Sequence, residues 1–242
     1  MTIVADRTVL VTGANRGLGH ALVEEALLRG AARVYAGVRG PYTHPDARVT
    51  PVTIDVTDPA QIRAVAERVE ALDILINNAG ISLPDDLGDR DALDQHLAVN
   101  LFGPWAVTEA LRPALVRSRG SVVNVVSLGA LAAVPVLPAY SISKAASFSL
   151  TQSLRALLAR DGVRVHAVLG GPIDTDMVRD LPVPKASPES VARLIVEGVE
   201  RGDEEIFPDP LSATMAESWR TGMAKQLERQ NAALVAADPI AA

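Results

Sequence analysis

The stretch that decides the fold is "VLVTGANRGLGHALVEEALLRG", residues 9–30, in which a short apolar run passes through three glycines into a helical pattern. Gly13, Gly17 and Gly19 let the backbone turn sharply and approach a ligand without a Cβ in the way. The N-terminus of the following helix offers unpaired N–H groups to an anion such as a pyrophosphate. The spacing is GxxxGxG rather than GxGxxG, and a tight strand-to-helix turn without a ligand is the alternative for the glycines alone.

The alternation of strand and helix continues along the chain. Helical patterns cover 17–30, 59–71, 89–118, 139–160 and 188–201, and short apolar runs rich in β-branched residues cover 8–12, 33–38, 49–54, 73–77, 121–127, 163–169 and 204–207. Most runs are apolar on both faces, as in a parallel sheet covered by helices on both sides. The pattern predicts a single-domain α/β fold, a Rossmann-type doubly wound sheet of about seven parallel strands.

Length and composition narrow the class of protein. The 242 residues suffice for one well-buried α/β domain. A net charge of -6 with scattered Lys and Arg is unlike a nucleic-acid-binding protein. The chain has no cysteine and its four histidines are dispersed, so we expect no metal site. The N-terminus has too short an apolar run for a signal peptide or a membrane span, which predicts a cytoplasmic protein without a membrane partner.

The segment "AYSISKAAS", residues 139–147, places Tyr140 and Lys144 four residues apart, on one face of a helix. A free tyrosine has a pKa of about 10, and a nearby ammonium lowers it by favouring the phenolate. The spacing therefore predicts a phenol that can exchange a proton near neutral pH. An ordinary half-buried pair of helix residues is the alternative for this motif alone.

Asn100 is singled out by the proline that follows it. Pro104 has no N–H, so a continuous helix would leave the carbonyl of Asn100 without its usual partner. A free carbonyl beside a site can hold a water molecule. A simple kink at Gly103 and Pro104 is the alternative.

These residues together resemble the short-chain dehydrogenase/reductase family, in its single-domain branch. The TGxxxGxG motif is present from Thr12 to Gly19, and the YxxxK motif from Tyr140 to Lys144. "DVTD" (55–58) and "NNAG" (77–80) follow in the family's order, and Ser127 precedes Tyr140 by thirteen positions. The resemblance covers residues 7 to about 208.

The resemblance implies a site and a reaction. Asn100, Ser127, Tyr140 and Lys144 fall where the family has its catalytic tetrad. Tyr140 would exchange the proton, Ser127 would hold the substrate oxygen, Lys144 would also bind the nicotinamide ribose, and Asn100 would hold a relay water. The implied cofactor-binding residues are Gly13, Asn15, Arg16, Gly17, Leu18, Gly19, Arg39, Asp55, Val56, Asn78, Ala79, Gly80, Tyr140, Lys144, Gly171, Pro172, Ile173 and Thr175.

The end of the second strand favours NADP(H) over NAD(H). Val38 stands where NAD-dependent relatives carry an aspartate, and Arg39 follows it. Arg16, inside the glycine loop, is a second basic residue able to meet a 2′-phosphate. A solvated surface charge is the alternative for each arginine. Gly170 departs from the family, in which a proline usually stands at that position.

The sequence thus predicts an NADP(H)-dependent carbonyl reductase or alcohol dehydrogenase that interconverts a ketone or aldehyde and an alcohol. Small and aliphatic residues in 81–87 and 127–140 favour an apolar small-molecule substrate, although Arg179 and Lys185 leave room for an anionic group. A catalytically silent nicotinamide-binding regulator or scaffold on the same fold is the alternative.

Two units are predicted along the chain. Residues 1–210 form the Rossmann-type catalytic domain, and residues 211–242 form a helical extension packed on it or on a neighbouring subunit. We expect a homodimer or a homotetramer, with a dimer formed through the helices that include Trp105 and Phe148 if the extension covers the last strand.

Overall fold

The computed structural model describes residues 4–237, so residues 1–3 and 238–242, the outer ends of the two predicted units, lie outside the described residues. The described chain forms one parallel sheet in the order β3-β2-β1-β4-β5-β6-β7. Its strands are β1 (Thr8–Thr12), β2 (Arg33–Val38), β3 (Val49–Thr53), β4 (Ile74–Asn77), β5 (Ser121–Val125), β6 (Arg164–Val168) and β7 (Glu205–Ile206). The predicted fold class is confirmed.

Helices cover both faces of the sheet. They are α1 (Gly17–Leu28), α2 (Pro59–Arg68), α3 (Arg90–Leu97), α4 (Gly103–Ser118), α5 (Pro138–Leu158) and α6 (Pro188–Arg201), followed by α7 (Pro210–Ala213), α8 (Ala216–Thr221) and α9 (Met223–Ala237). Helices α1 and α6 pack on one face and α2, α4 and α5 on the other. Strand β1 contributes to both apolar layers because its side chains alternate between the faces of the sheet. Val9 and Val11 pack in the layer with α1 and α6, whereas Leu10 packs in the layer with α2, α4 and α5. None of the helices within residues 4–237 has the length and apolar character that crossing a bilayer requires.

The order of the strands positions the site. Strand β1 pairs with β2 on one side and with β4 on the other, and all of these pairings are parallel. The chain therefore leaves the carboxyl end of β1 in one direction and that of β4 in the other. Such a switch point opens a crevice at the carboxyl edge of the sheet, where ligands bind in open α/β folds.

The predicted helix 89–118 is interrupted. Helix α3 ends at Leu97, a π-helical turn covers Ala98–Phe102, and α4 begins at Gly103. The N–H of Gly103 donates to the carbonyl of Ala98, five residues earlier. The helical pattern over 89–118 is therefore divided between α3 and α4, with the break at Asn100, where the sequence indicated an interruption. The physical reason is Pro104, which cannot donate to the ladder and displaces the regular bonding by one residue.

Helices α8 and α9 pack on the same chain. The rings of Trp219 and Phe148 lie 5.4 Å apart. The Nζ of Lys225, which is 1% exposed, lies 2.9 Å from a carboxylate oxygen of Glu205 in β7 and of Glu228 in α9. Arg155 of α5 pairs with the same two carboxylates. This buried charge cluster joins α9 to β7 and α5.

We expect Lys225→Met to destabilise the protein by about 3 kcal/mol, because a buried carboxylate loses a partner while the apolar stem is kept. The free energy of unfolding in urea measures the effect. Arg229→Met is the matched control: its guanidinium lies 3.6 Å from Glu204 and is 61% exposed. Removing such a surface charge should cost less than about 1 kcal/mol. Equal losses of unfolding free energy in the two variants would contradict a larger contribution from the buried charge cluster.

Candidate active site

A cleft of about 600 Å³ lies at the carboxyl edge of the sheet. It runs from the end of β2 past the glycine loop to the start of α5. All of the predicted cofactor-binding residues except Pro172 line this cleft. Three members of the predicted tetrad, Ser127, Tyr140 and Lys144, line it as well, whereas Asn100 does not. The structure thus brings together, in one cavity, residues that lie from position 13 to position 178 of the chain.

The glycine loop is packed too closely for larger residues. Gly13 has φ +67°, and a Cβ there would lie 3.0 Å from the Cα of Ala79. A Cβ on Gly19 would lie 2.0 Å from the carbonyl oxygen of Gly13. The hydroxyl of Thr12 accepts from the N–H groups of Asn78 and Ala79, both at 3.0 Å, and so fastens the loop to the end of β4. Glycine is therefore required at both positions by steric contact.

The first turn of α1 is suited to an anion. Gly17, Leu18 and Gly19 open the helix and line the cleft, and the N–H groups of a first helical turn have no partner within their helix. Arg16 and Arg39 line the same cavity. Free N–H groups, two guanidinium groups and the absence of Cβ atoms at the loop fit the phosphates of a dinucleotide.

Asp55 also lines the cleft, near the end of β2 and Arg39. Its carboxylate accepts from the hydroxyl of Thr57 at 2.7 Å and from the Thr57 N–H at 2.9 Å. These bonds, with a smaller contribution from the charge of Arg39, lower the pKa of Asp55 below its ordinary value. The group is an ionised acceptor at neutral pH.

Ser127, Tyr140 and Lys144 converge at the opposite end. The Ser127 hydroxyl accepts from the N–H of Gly129 at 3.0 Å and lies near enough to the Tyr140 phenol to act on its pKa. The Nζ of Lys144 lies 5.7 Å from the centre of the Tyr140 ring and donates to the carbonyl of Val125 at 2.9 Å. Phenol, hydroxyl and ammonium are thus held together where β5 ends and α5 begins.

Burial sets the protonation of this group. Removal from water raises the pKa of Tyr140 above its ordinary value, and the Ser127 hydroxyl offsets part of that rise. Burial also lowers the pKa of Lys144 to about 8. The direction for Tyr140 differs from the lowering predicted from the Lys144 spacing, because desolvation of the phenolate is the largest influence on this group.

Asn100 lies behind the cleft, 1% exposed. Its side-chain amide accepts from the N–H of Ile81 and donates to the Ile81 carbonyl, both at 2.9 Å, and it also donates to the hydroxyl of Ser143 at 2.9 Å. A Cβ on Gly80 would lie 3.2 Å from the Asn100 Oδ1 and 3.6 Å from the Lys144 Nζ. The side chain of Asn100 therefore connects the backbone of Ile81 to Ser143, the residue before Lys144.

Asp209 is a site residue that the sequence reasoning missed. Its carboxylate is buried and accepts from the N–H of Gly171 at 2.8 Å and from the N–H groups of Leu211 and Ser212 at 3.1 and 3.0 Å. It thus caps α7 and holds the glycine pair at 170–171. The signal was present in "DPLS" (209–212), an N-cap followed by proline, but the contact with Gly171 spans 38 residues.

The fold and the cleft define a class: a dinucleotide-binding α/β oxidoreductase with a glycine loop at the switch point and a serine, tyrosine and lysine facing it. The chain belongs to the short chain dehydrogenase family, whose model matches residues 7–185. This finding confirms the resemblance stated from the motifs.

Individual relatives agree with this assignment. A crystal structure of a short chain dehydrogenase from Burkholderia cenocepacia J2315 in complex with NADP is 36% identical, with a TM-score of 0.86 over 95% of this chain and 98% of that one. The oxidoreductase UcpA of Escherichia coli K12 is 32% identical over 85% of this chain and 83% of its own length. The 2-(R)-hydroxypropyl-CoM dehydrogenase of Xanthobacter autotrophicus is 33% identical over 78% of this chain and 83% of its own length.

We expect Asp209→Ala to destabilise the protein by about 2 kcal/mol, because it leaves buried N–H groups without an acceptor. Urea denaturation measures the loss, and amide hydrogen exchange at Gly171 should accelerate. The control is Asp89→Ala, which removes the exposed cap of α3, where Asp89 accepts from the N–H of Asp91. Unchanged exchange at Gly171 in Asp209→Ala would contradict the assigned contact.

Proposed function

We propose that the protein is an NADP(H)-dependent oxidoreductase that interconverts a ketone or aldehyde and an alcohol, with Tyr140 as the general acid and base. One observation carries the proposal: a single cleft joins the anion-binding glycine loop to Ser127, Tyr140 and Lys144. A silent regulator on the same fold would have no use for these three side chains beside the cleft. The proposed type is a carbonyl reductase or alcohol dehydrogenase.

The proton chemistry follows from the local contacts. A carbonyl reduced at carbon needs a proton at oxygen, and Tyr140 donates it from its phenolic oxygen. The raised pKa of Tyr140 keeps the phenol protonated at neutral pH, which suits donation. Ser127, which lies near that phenol, would donate to the same substrate oxygen. In the reverse direction the phenolate form of Tyr140 accepts the proton of the alcohol.

Two arginines support NADP(H) as the cofactor, which supplies the hydride when bound. Arg16 and Arg39 both line the cleft, and Val38, at the end of β2, offers no carboxylate to a ribose 2′-hydroxyl. Arg16 lies 2.9 Å from a carboxylate oxygen of Asp176, with 70% and 45% of the two side chains exposed. Such an exposed ion pair is weak, so a 2′-phosphate can replace the carboxylate.

The lining of the open part of the cleft supports an apolar substrate. Ile81 and Leu83 line one wall, and Met177 and Val178 line another. The same walls hold one carboxylate, that of Asp176, whose charge is paired with Arg16 and Arg179. A small apolar ketone, aldehyde or alcohol fits this lining.

We further propose that residues 1–210 are the catalytic unit and that residues 211–242 are an extension docked on it. The docking is supported by contacts with β7 and α5 that are made by Lys225, Glu228 and Trp219. The extension covers Phe148, whereas Trp105 on α4 is 49% exposed. A homo-oligomer would therefore form through α4 with Trp105 rather than through Phe148.

The function is tested by following NADPH oxidation with a panel of ketones and aldehydes. We expect turnover by the native protein and a fall in kcat of about 10²-fold or more in Tyr140→Phe, which lacks the proton donor. Tyr35→Phe is the matched control, because that hydroxyl accepts from Arg33 outside the cleft. Undiminished turnover in Tyr140→Phe would refute the mechanism, and a native protein that binds NADPH but reduces nothing would favour the regulator.

Cofactor choice is tested by Arg39→Asp, which should shift the preference from NADPH towards NADH. The new carboxylate repels the 2′-phosphate and can accept from a 2′-hydroxyl. The ratio of kcat/KM for the two cofactors measures the shift. Arg160→Asp makes the same charge change at a residue outside the cleft lining and should leave the ratio unchanged. Equal use of both cofactors by the native enzyme would contradict the assignment.

A further inference from the structure

The wall segment, residues 81–85, is fixed at every second residue. Ile81 is held by the side chain of Asn100, as described above. The N–H of Leu83 donates to the Nε2 of His96 at 3.0 Å. The side chain of Asp85 reaches the N–H of Ala139, the residue before Tyr140. Because Ile81, Ser82 and Leu83 line the cleft, these contacts set the position of one substrate wall.

The ring of His96 is hydrogen-bonded to the wall segment through a single tautomer. Its ring is fully buried, and its Nδ1 lies 2.7 Å from the carbonyl oxygen of Ala92. A carbonyl can only accept and the N–H of Leu83 can only donate. The ring is therefore neutral, with the proton on Nδ1 and the acceptor on Nε2. The imidazole thus fastens the wall to α3.

Asp85 fastens the same wall to α5. Both of its carboxylate oxygens accept from the N–H of Ala139, at 3.1 and 3.3 Å. Ala139 lies in the first turn of the helix, where N–H groups have no partner within the helix. Leu137, at the N-cap position, has an aliphatic side chain, and Pro138 has no N–H. The cap of α5 is therefore supplied from 54 residues earlier in the chain.

A second connection reaches the other side of Tyr140. The hydroxyl of Ser143 donates to the Tyr140 carbonyl at 2.7 Å and accepts from the amide of Asn100, which holds Ile81. The wall segment is thus bonded to the residue before Tyr140 through Asp85, and to Tyr140 itself through Asn100 and Ser143. The two connections leave the first turn of α5 little freedom to move relative to the substrate wall.

We propose that Asp85 is a positioning residue that holds the first turn of α5, and with it the phenol of Tyr140, in register with the substrate wall. The inference rests on the proposed role of Tyr140 as proton donor. Without the cap the first turn frays, and the phenol samples positions outside hydrogen-bond reach of a carbonyl held between the wall and Ser127. A displacement on this scale lowers the rate of proton transfer without removing any group that binds the cofactor.

Three variants of the full-length protein test the proposal. Asp85→Ala removes the cap. Asp85→Asn keeps an oxygen acceptor, and asparagine caps helices about as well as aspartate. Asp86→Ala is the matched control, because Asp86 accepts from the N–H of Gly88 in the same loop and does not contact α5 in the described structure. The readouts are kcat and KM for carbonyl reduction, the Kd for NADPH, and hydrogen exchange of the peptide 138–144.

We expect Asp85→Ala to lower kcat about tenfold, with faster exchange in 138–144 and a Kd for NADPH within about twofold of native. Asp85→Asn should restore both kcat and exchange to within about threefold, and Asp86→Ala should resemble the native protein. Native kcat and exchange in Asp85→Ala would overturn the proposal. Equal losses in Asp85→Ala and Asp85→Asn would also overturn it, because the cap would then not be the cause.

The exchange measurement separates this proposal from the proposed function. A native protein without reductase activity that nonetheless shows faster exchange in Asp85→Ala and recovery in Asp85→Asn would refute the function and support the positioning contact. An active native protein in which Asp85→Ala loses NADPH binding together with kcat would support the function and overturn the positioning role.

Discussion

The approach of helix α1 to the end of strand β1 is the constraint on which the site depends. A Cβ on Gly19 would sit 2.0 Å from the Gly13 carbonyl, so the helix can begin here only with glycine. This contact directs the first turn of α1 at the crevice left by the switch point between β1 and β4. It also brings the loop against Ala79, which the hydroxyl of Thr12 fastens in place. The anion site and the end of β4 are therefore one structural unit.

Hydrogen bonds between buried polar side chains connect this unit to α5, the helix that holds Tyr140 and Lys144. Asn77 at the end of β4 donates to Asn124 of β5 at 2.9 Å, and Asn124 donates to Thr151 of α5 at 2.9 Å. Such bonds inside an apolar core are costly to leave unmade, so they define one arrangement of the strands and of α5. The Lys144 Nζ adds a bond to the end of β5. The helix that holds Tyr140 is consequently fixed to the sheet along its length.

Burial decides the protonation state of Tyr140. With a raised pKa the phenol stays protonated at neutral pH, so in the proposed reaction it can serve as a proton donor. Lys144, with a pKa lowered to about 8, is a weaker electrostatic partner than its spacing suggests. The hydrogen bond from the Lys144 Nζ to the carbonyl of Val125 also holds α5 against the end of β5. Burial, a property of the folded chain, decides both values.

The sequence alone determined the alternation of strands and helices, the parallel sheet, the glycine loop, the interruption at Asn100 and the shared helix face of Tyr140 and Lys144, whereas the family resemblance added Ser127 to them. Local signals of this kind, apolar periodicity, glycine spacing and a proline without an N–H, act over a few residues and can be read directly. Helix α6 is an example, since Ser187, directly before Pro188, accepts from the N–H of Ser190 and so caps the helix. Only the tertiary structure decided the pKa of Tyr140 and the roles of Asp85, His96 and Asp209. Those depend on burial and on hydrogen bonds between segments far apart in the chain, and no spacing in a sequence states which distant N–H a carboxylate will meet.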